Sequence, residues 1–595
     1  MSTGNSNYKN INVAIYCQVD DILKMADKKW LEQSFNLIRK HINFNKVYME
    51  TFRMTMPEKA LLQNVKDFFE SKGIKTAGGW MSPKGTKEDM MTSFCFTNPE
   101  DRKKFTEIVT FTAELFDEFI MDDLFTTNCK CESCTKAKGS RSWTEFRLEL
   151  MKEVSRNLVI ETAHKINPKI NMIIKYPNWY DDYQFLGYNL EAQPKMFDMI
   201  YAGTETRDPV YTTQHLQQYQ GYAIMRYFEN VKPGKNGGGW VDPGSLSLDR
   251  WAEEINLTLF AKPREVTFWP YGGLLETIKQ KSRSTMMVNG FAAVASHTFA
   301  KADLCMDNLG QPYGISAYKP YHSSGEGYLH AYLGMLGLPM DIVPEFPAQS
   351  NTILLTECAK FDDNIVEKIH GQLVHGKTVV ITSGLLKALQ GNGIEDLIEV
   401  DYTDEKVLVN KFLPRWPLES QMANVYHSDT DILIPQIKYG CTDMEEIIQC
   451  LDRDGGYQGY SLLMQARGFG KGKLFVLTIP DNFGDLYHLP PEVLTHIKYA
   501  LMGDFPVYLN SPAKVCLFTY DNNTFITESF LPNAVRCQAV IRKNHAELHD
   551  LITGEEIKGI SDGEKTTFEI TCLPRSYRMF RFVRTRRDIK QDNTY

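Results

Sequence analysis

FIMDDLFTTNCKCESC, residues 119–134, carries the reading of the chain. A short apolar run ends in two acids, Asp122 and Asp123. Cys129, Cys131 and Cys134 follow at C-x-C-x-x-C spacing, and Cys95 precedes them in SFCFTNPEDR. Soft thiolates in fours suit tetrahedral Zn²⁺ and close its coordination shell, so no position remains for a substrate. The expectation is a structural zinc that braces a loop, with the chemistry falling to Asp122 and Asp123 just before it. Without a metal, the same four residues would be reduced cysteines that pack or lie exposed.

Working outward, short β-branched or aromatic runs alternate with amphipathic helical stretches, the pattern of βα units and a parallel sheet. Eight runs are predicted as strands: INVAIYC (11–17), KVYMET (46–51), IKTAGGW (74–80), EFIMDD (118–123), INMIIKY (170–176), FDMIYAG (197–203), REVTFWP (264–270) and AAVASHTF (292–299). Helix-period segments lie between them. In FRLELMKEVSRNLVIETAHK, for example, Phe146, Leu150, Val154 and Leu158 recur at i+4 and share a face. Eight such units predict a (β/α)₈ TIM barrel over residues 1–320.

Reactive groups in such barrels stand at the C-terminal strand ends. Those ends supply Asp20 after the first strand, Glu50 and Arg53 after the second, and Trp80 at the third. Asp122 and Asp123 close the fourth, Lys175, Tyr176 and Trp179 the fifth, and Glu205, Arg207 and Asp208 the sixth. Trp269 and Tyr271 follow the run at 264–270, and His297 ends the last. Carboxylates between aromatic walls suit a carbohydrate, whose hydroxyls take charged hydrogen bonds while its C–H faces lie on indole rings. Each acid singly could be a loop cap or a surface charge; the convergence of several carries the reading. The glycine run KPGKNGGGWVDP (232–243) lacks the strand–GxGxxG–helix context of a nucleotide site, and reads as a mobile loop placing Trp240 and Asp242 over the pocket.

Composition narrows the class. A chain of 595 residues exceeds one hydrophobic core and predicts several domains. A formal charge of −8 and the lack of a basic stripe argue against nucleic acid as a partner. The one basic cluster, RMFRFVRTRRDIK (578–590), reads as a solvated tail. No apolar run reaches the roughly 18 residues of a membrane helix. The first residues lack a charged start followed by an apolar stretch, although a trimmed leader would look the same. Cysteines outside the cluster read as reduced core thiols, which favours a reducing, cytoplasmic compartment. Neither a Walker motif nor G-x-S-x-G occurs.

The CFTNPEDR stretch, the acidic pair, the C-x-C-x-x-C loop and the helix FRLELMKE resemble glycoside hydrolase family 42, the zinc-containing β-galactosidases. The resemblance implies that Cys95, Cys129, Cys131 and Cys134 are the zinc ligands. It also places Asp123 at the family's acid/base Glu, with Asp122 replacing the Asn before it. It further implies a flavodoxin-like α/β domain over 321–510, where YLGMLGLPMDIVPEFP, TILLTECA and KTVVITSGLL alternate, and with it a homotrimer. A small antiparallel β-sandwich over 511–595 follows, in line with the short strands AKVCLFTYD, FITESFLP and TTFEITC.

One departure stands out. The family's nucleophile is a Glu ending the seventh strand, whereas VTFWPYGG has no acid before Glu276. Glycoside hydrolysis generally needs two carboxylates, so the second is sought at the sixth strand end, where Glu205 and Asp208 flank Arg207. Fourth- and sixth-strand pairs also occur in barrel α-galactosidases, with the roles exchanged. The expectation is an O-glycoside hydrolase acting on an oligosaccharide or glycoside, with Asp123 as acid/base, Glu205 as second carboxylate and Asp208 next. Repulsion between Asp122 and Asp123 would raise one of their pKa values, or Asp122 would orient the loop. A non-catalytic sugar-binding barrel is the rival reading. A zinc hydrolase would need an open site with His and Asp ligands, and no H-x-H follows the first strand.

Overall fold

The computed structural model describes residues 8–584 except 83, 86–91, 213, 280–289, 416–423, 441, 453–455 and 457–458. Its chain forms two compact units, Met1–Asp307 and Asn308–Tyr595.

The first unit is a closed parallel barrel. Its strands are β1 (Asn12–Cys17), β2 (Lys46–Phe52), β3 (Lys75–Trp80), β4 (Glu118–Met121), β5 (Asn171–Tyr176), β6 (Met199–Gly203), β7 (Asn236–Val241) and β8 (Glu265–Phe268), with β8 pairing back onto β1. Both faces of such strands are covered, so they read as continuous buried runs; in β1 every residue after Asn12 is buried. Large rings (Tyr16, Tyr48, Tyr201, Trp240) and small Ala14 and Ala77 fill the interior together. Towards the N-terminal strand ends Lys46 Nζ lies 2.7 Å from Glu118 and 3.0 Å from Glu265, and the Tyr48 hydroxyl donates to Glu265 at 2.9 Å. This paired network leaves the C-terminal strand ends for chemistry.

The first six predicted runs are the first six strands. The last two need correction. REVTFWP holds the eighth strand, and AAVASHTF belongs to the helix Phe291–Asp303, where Ala292, Ala295 and Phe299 are buried and His297 is exposed. The seventh strand is NGGGWV, inside the glycine run expected to be a mobile loop. Glycine has poor strand propensity, which hid it. Packing requires it nonetheless: a Cβ on Gly238 would stand 2.2 Å from the Glu265 carbonyl oxygen, and one on Gly239 2.4 Å from Thr258 Cγ2.

Helices set the loops that matter. Asn98 caps the helix Pro99–Leu115, accepting from the amides of Glu100 and Asp101, and Asp101 in turn accepts from the Cys95 amide at 2.8 Å. Ser142 and Glu145 form a capping box on Trp143–Val154. A π-helical turn over Ser155–Ile160 then shifts the buried stripe onto Ser155 and Val159.

The second unit opens with a nine-stranded mixed sheet. Met340–Val343, Ile315–Tyr318, Thr352–Leu355, Thr378–Thr382 and Lys473–Leu477 run parallel, followed by four antiparallel strands of which Val400–Pro414 and Tyr426–Tyr439 are the longest. Two antiparallel sheets of four and six strands complete it. Ser576–Arg584 is a strand of the latter, so the start of the basic cluster is sheet and not a solvated tail; Arg578 pairs with Asp550 at 2.7 Å. Residues 585–590 of that cluster lie outside the described ones. Among the described residues no helix is long and apolar enough to cross a membrane.

Candidate active site

Strand ends around the barrel converge on a cavity of about 350 Å³. Arg53 follows β2, Asp122 and Asp123 follow β4, and Lys175 with Trp179 comes from β5 and its loop. Glu205 and Arg207 follow β6, Trp240 and Asp242 close β7, and Trp269 follows β8.

Lys175 is the hub. Its ammonium donates to Asp122 Oδ1 and Asp123 Oδ2, both at 3.2 Å, and to Glu205 Oε1 at 3.1 Å, and sits 4.5 Å from the centre of the Trp240 ring. Burial alone would neutralise it; Asp123, Glu205 and Asp122 reverse that and raise its pKa, so it stays charged. Asp123 Oδ2 also accepts from Trp179 Nε1 at 3.0 Å. Asp122 is fixed from both sides, its amide donating to the Trp80 carbonyl at 3.0 Å and its Oδ1 accepting the Asp123 amide at 2.8 Å. Arg53 lies 3.9 Å from its other oxygen.

Glu205 is a perturbed carboxyl. Burial pushes its pKa up to about 7; Lys175 opposes the shift, and Asp123 and Asp242 add to it. Its Oε2 is buried and has no hydrogen-bond partner among the described residues. A Cβ on Gly203 would stand 2.5 Å from that oxygen, so glycine at the end of β6 makes room for it. Asp123 Oδ2 and Glu205 Oε1 contact the same nitrogen at 3.2 and 3.1 Å, and are therefore at most about 6.3 Å apart, the sum of the two contacts. On the adjoining wall Asp242 takes Arg207 Nη2 on Oδ2 and the Gly244 amide on Oδ1, each at 2.7 Å. Burial raises the Asp242 pKa against the pull of Arg207.

Of the residues read from the sequence, Arg53, Asp122, Asp123, Lys175, Trp179, Glu205, Arg207, Trp240 and Trp269 line this cavity together. Others do not. Glu50 is fully buried beside it, accepting from Arg53 Nε at 2.9 and 3.0 Å, the Tyr16 hydroxyl and the Val19 amide, and so holds Arg53 in place. Tyr176 stacks on Phe228 in the core behind the strand. Asp208 turns outward after Arg207, whose φ is 59°, and its Oδ1 accepts the amides of Val210 and Tyr211. Asp20 lies exposed in the first turn of Val19–Lys24, and His297 on its helix. Asn178, Gln214, Met81 and Leu124 line the cavity without having been singled out. Asp242, read from the sequence as a loop residue over the pocket, does line the cavity, but from the end of β7.

The four cysteines also converge. One sulfur from each of Cys95, Cys129, Cys131 and Cys134 lies within 4.8 Å of the others, with Cys95 at 3.6 Å from both Cys131 and Cys134. Four sulfurs around zinc at about 2.3 Å define tetrahedral edges of about 3.8 Å, whereas a disulfide needs about 2.05 Å. The donor set and its spacing fit a closed thiolate metal site.

Comparison with known proteins gives three matches along the chain. The model described as "Probable glycosyl hydrolase, catalytic domain" matches residues 2–302, the second domain of "Uncharacterized protein SSO3021" matches 310–482, and "Probable glycosyl hydrolase, C-terminal domain" matches 506–582. An uncharacterized protein of Saccharolobus solfataricus is 23% identical over 422 residues, covering 64% of this chain and 67% of its own. Among solved structures, the β-galactosidase of Bacillus circulans sp. alkalophilus superposes with a TM-score of 0.65 at 12% identity, covering 96% of this chain and 99% of that one. Gan42B, a GH42 β-galactosidase of G. stearothermophilus, has a TM-score of 0.65 at 12% identity, with 98% and 99% covered. The α-L-fucosidase isoenzyme 2 of Paenibacillus thiaminolyticus has 0.62 at 12%, with 97% and 100% covered. At such identities the likeness concerns the fold.

Proposed function

The chain belongs to the probable glycosyl hydrolase family and is a glycosidase, and we propose that it removes a terminal sugar with retention of configuration, using Asp123 and Glu205. One observation carries this reading: a buried lysine bridges the two carboxylates, while Glu205 keeps an oxygen with no hydrogen-bond partner among the described residues and a pKa of about 7. It favours the exchanged roles. Glu205 is the general acid, its pKa of about 7 leaving a large protonated fraction at neutral pH, as that task requires. Asp123, oriented by Lys175 and Trp179, is the nucleophile.

In the first step an Asp123 oxygen bonds to the anomeric carbon as the glycosidic C–O bond breaks, and the Glu205 proton passes to the departing oxygen. In the second, the Glu205 carboxylate takes a proton from water, whose oxygen displaces Asp123 and returns it as carboxylate. Lys175 faces the Asp123 charge before the first step and the Glu205 charge after it, because the Asp123 carboxylate becomes an ester as Glu205 gives up its proton. Trp179 and Trp269, both partly exposed, offer faces for the sugar ring, while Trp240 is buried under Lys175. The upper bound of about 6.3 Å between the two oxygens lies below the roughly 6.5–9.5 Å carboxyl spacing of inverting enzymes and admits the roughly 5–5.5 Å of retaining ones. A volume of about 350 Å³ lies at the small end of ligand sites and suits a single sugar unit.

Aryl β-D-galactosides and α-L-fucosides, which the names of the structural relatives suggest, head the substrate panel. Proton NMR of the first product is expected to show the anomer of the substrate. Initial release of the opposite anomer would make the pair an acid and a water-activating base. A chain inert across a broad panel that still binds sugar would favour the binding barrel.

A second reading has its own support. Asp242 directly follows β7, where the resemblance expects the nucleophile, and Asp123 would then be acid/base. Both Asp242 oxygens are already engaged, by Arg207 and the Gly244 amide, which favours the first reading.

We assign zinc to Cys95, Cys129, Cys131 and Cys134, where it would brace the loop behind Asp123 and supply no catalysis, and the resemblance adds a homotrimer. Elemental analysis is expected to find one zinc per chain. Cys134→Ser is expected to lose it and lower Tm by roughly 5–10 °C. A chain that binds no zinc, or a variant with unchanged metal content and melting, refutes the assignment.

A further inference from the structure

Helix Leu248–Phe260 carries a carboxylate, Glu254, that is 2% exposed and does not line the cavity. It accepts backbone amides from two different loops: Arg207 N on Oε2 and Asp242 N on Oε1, both at 3.2 Å. The first loop follows β6 and the second follows β7. Arg207 is left-handed at φ 59°, a conformation that a non-glycine residue keeps only when its surroundings hold it. The Arg207 side chain then returns to Asp242 at 2.7 Å. Glu254 thus fixes the backbone at both ends of the ion pair that walls the cavity beside Glu205. Its own position is tied to the barrel through Thr258, whose hydroxyl donates to the Glu254 carbonyl at 3.0 Å and to Thr204 Oγ1 at 2.9 Å.

We propose that Glu254 is a positioning residue for substrate: it holds Arg207 in its left-handed conformation and aligns Arg207 with Asp242, so that this pair orients the sugar against Glu205. The assignment rests on the glycosidase reading and on the cavity being its sugar site. A carboxylate is required because two amides from separate loops need two acceptor oxygens on one rigid stem. A glutamine of equal size offers one oxygen and turns an amide N–H₂ towards the second donor. A purely structural Glu254 would instead affect melting alone.

The test compares Glu254→Gln, Arg207→Ala and the double variant, using the fastest of the p-nitrophenyl β-D-galactoside and α-L-fucoside. Binding of free galactose and L-fucose is followed in parallel by the fluorescence of the cavity tryptophans. Glu254→Gln is expected to raise KM about tenfold and lower kcat/KM about 10²-fold, with zinc content unchanged and monosaccharide binding weakened in proportion. In the Arg207→Ala background the same change is expected to cost less than about twofold, because the two residues act through one wall. Wild-type kcat/KM in Glu254→Gln overturns the proposal, as does a full, independent loss in the double variant. If Glu254→Gln folds poorly, Glu254→Asp keeps both acceptors on a shorter stem, and it must show the same dependence on Arg207. The binding readout does not depend on which carboxylate is the nucleophile, so a failure of the Asp123–Glu205 assignment would be seen separately, in the variants of those two residues.

Discussion

Asp123→Ala is expected to lose on the order of 10⁴-fold or more in kcat while keeping its fold and its sugar binding, since the nucleophile's bond to the anomeric carbon has no substitute. Added azide separates the two readings. As a small nucleophile it attacks from the vacated Asp123 face in this variant and yields a glycosyl azide of inverted configuration. Glu205→Ala still forms the glycosyl intermediate with substrates carrying good leaving groups, and azide then gives retained product. Glu205→Gln should lose about 10²–10⁴-fold with poor leaving groups and far less with nitrophenyl glycosides, which depart without protonation. The pH profile carries the same signature. With the folded pKa raised to about 7, Glu205 holds its proton below that pH and sheds it above, so wild-type kcat/KM is expected to fall on the alkaline side of about 7. Glu205→Gln should abolish that limb. Should Asp242→Ala, rather than Asp123→Ala, be the variant that gives inverted azide, the nucleophile is at the end of β7 and Asp123 is the acid/base.

Lys175→Met is expected to destabilise the chain by about 3–5 kcal/mol near pH 8, because it strips the shared cation from buried Asp122 and Glu205 and from partly buried Asp123 while leaving the volume filled. The loss should shrink towards acid. Lys175 is the main influence holding the Glu205 pKa down, so without it that pKa moves above about 7 in the folded state while the unfolded value stays near 4.5. A folded pKa above the unfolded one means that the protonated, uncharged form is favoured by folding. The stability is present below the unfolded pKa and lost as pH rises through the folded one. Urea titrations at pH 5.5 and pH 8 check the window, and an equal loss at both would refute the electrostatic account. Activity should fall by about 10²–10³-fold, as for loss of one preorganised charge in a buried site.

Much of the barrel was legible because parallel strands covered on both faces announce themselves. INVAIYC, INMIIKY and FDMIYAG are apolar runs with few alternatives, and acids or a lysine stand at or just beyond several strand ends. The seventh strand was not legible. NGGGWV has no side-chain pattern, and its glycines are needed only because Tyr201, Glu265 and Thr258 crowd it from neighbouring elements. That single omission displaced the last two assignments. It sent His297 into the expected site, although that residue lies on a helix, and it left the end of β7 looking empty of acids when Asp242 is there.

Within the site, residue types were visible and roles were not. Asp122 and Asp123 are neighbours of one kind in sequence; the Trp80 carbonyl and the Asp123 amide fix one, while Trp179 reaches the other. Asp208 looked as suitable as Glu205 until the left-handed turn at Arg207 took it out of the cavity, to accept the Val210 amide and lie 3.8 Å from Arg250. Glu254 carries no motif at all. By itself the sequence determined the barrel type, the cysteine quartet and the acids beside it, because periodicity and ligand spacing are local properties of the chain. Only the tertiary structure decided that Lys175 joins Asp123 to Glu205 and that Glu205 holds its proton near neutrality. Burial and the distances between charges from different strands set those properties, and neither is written in any one segment.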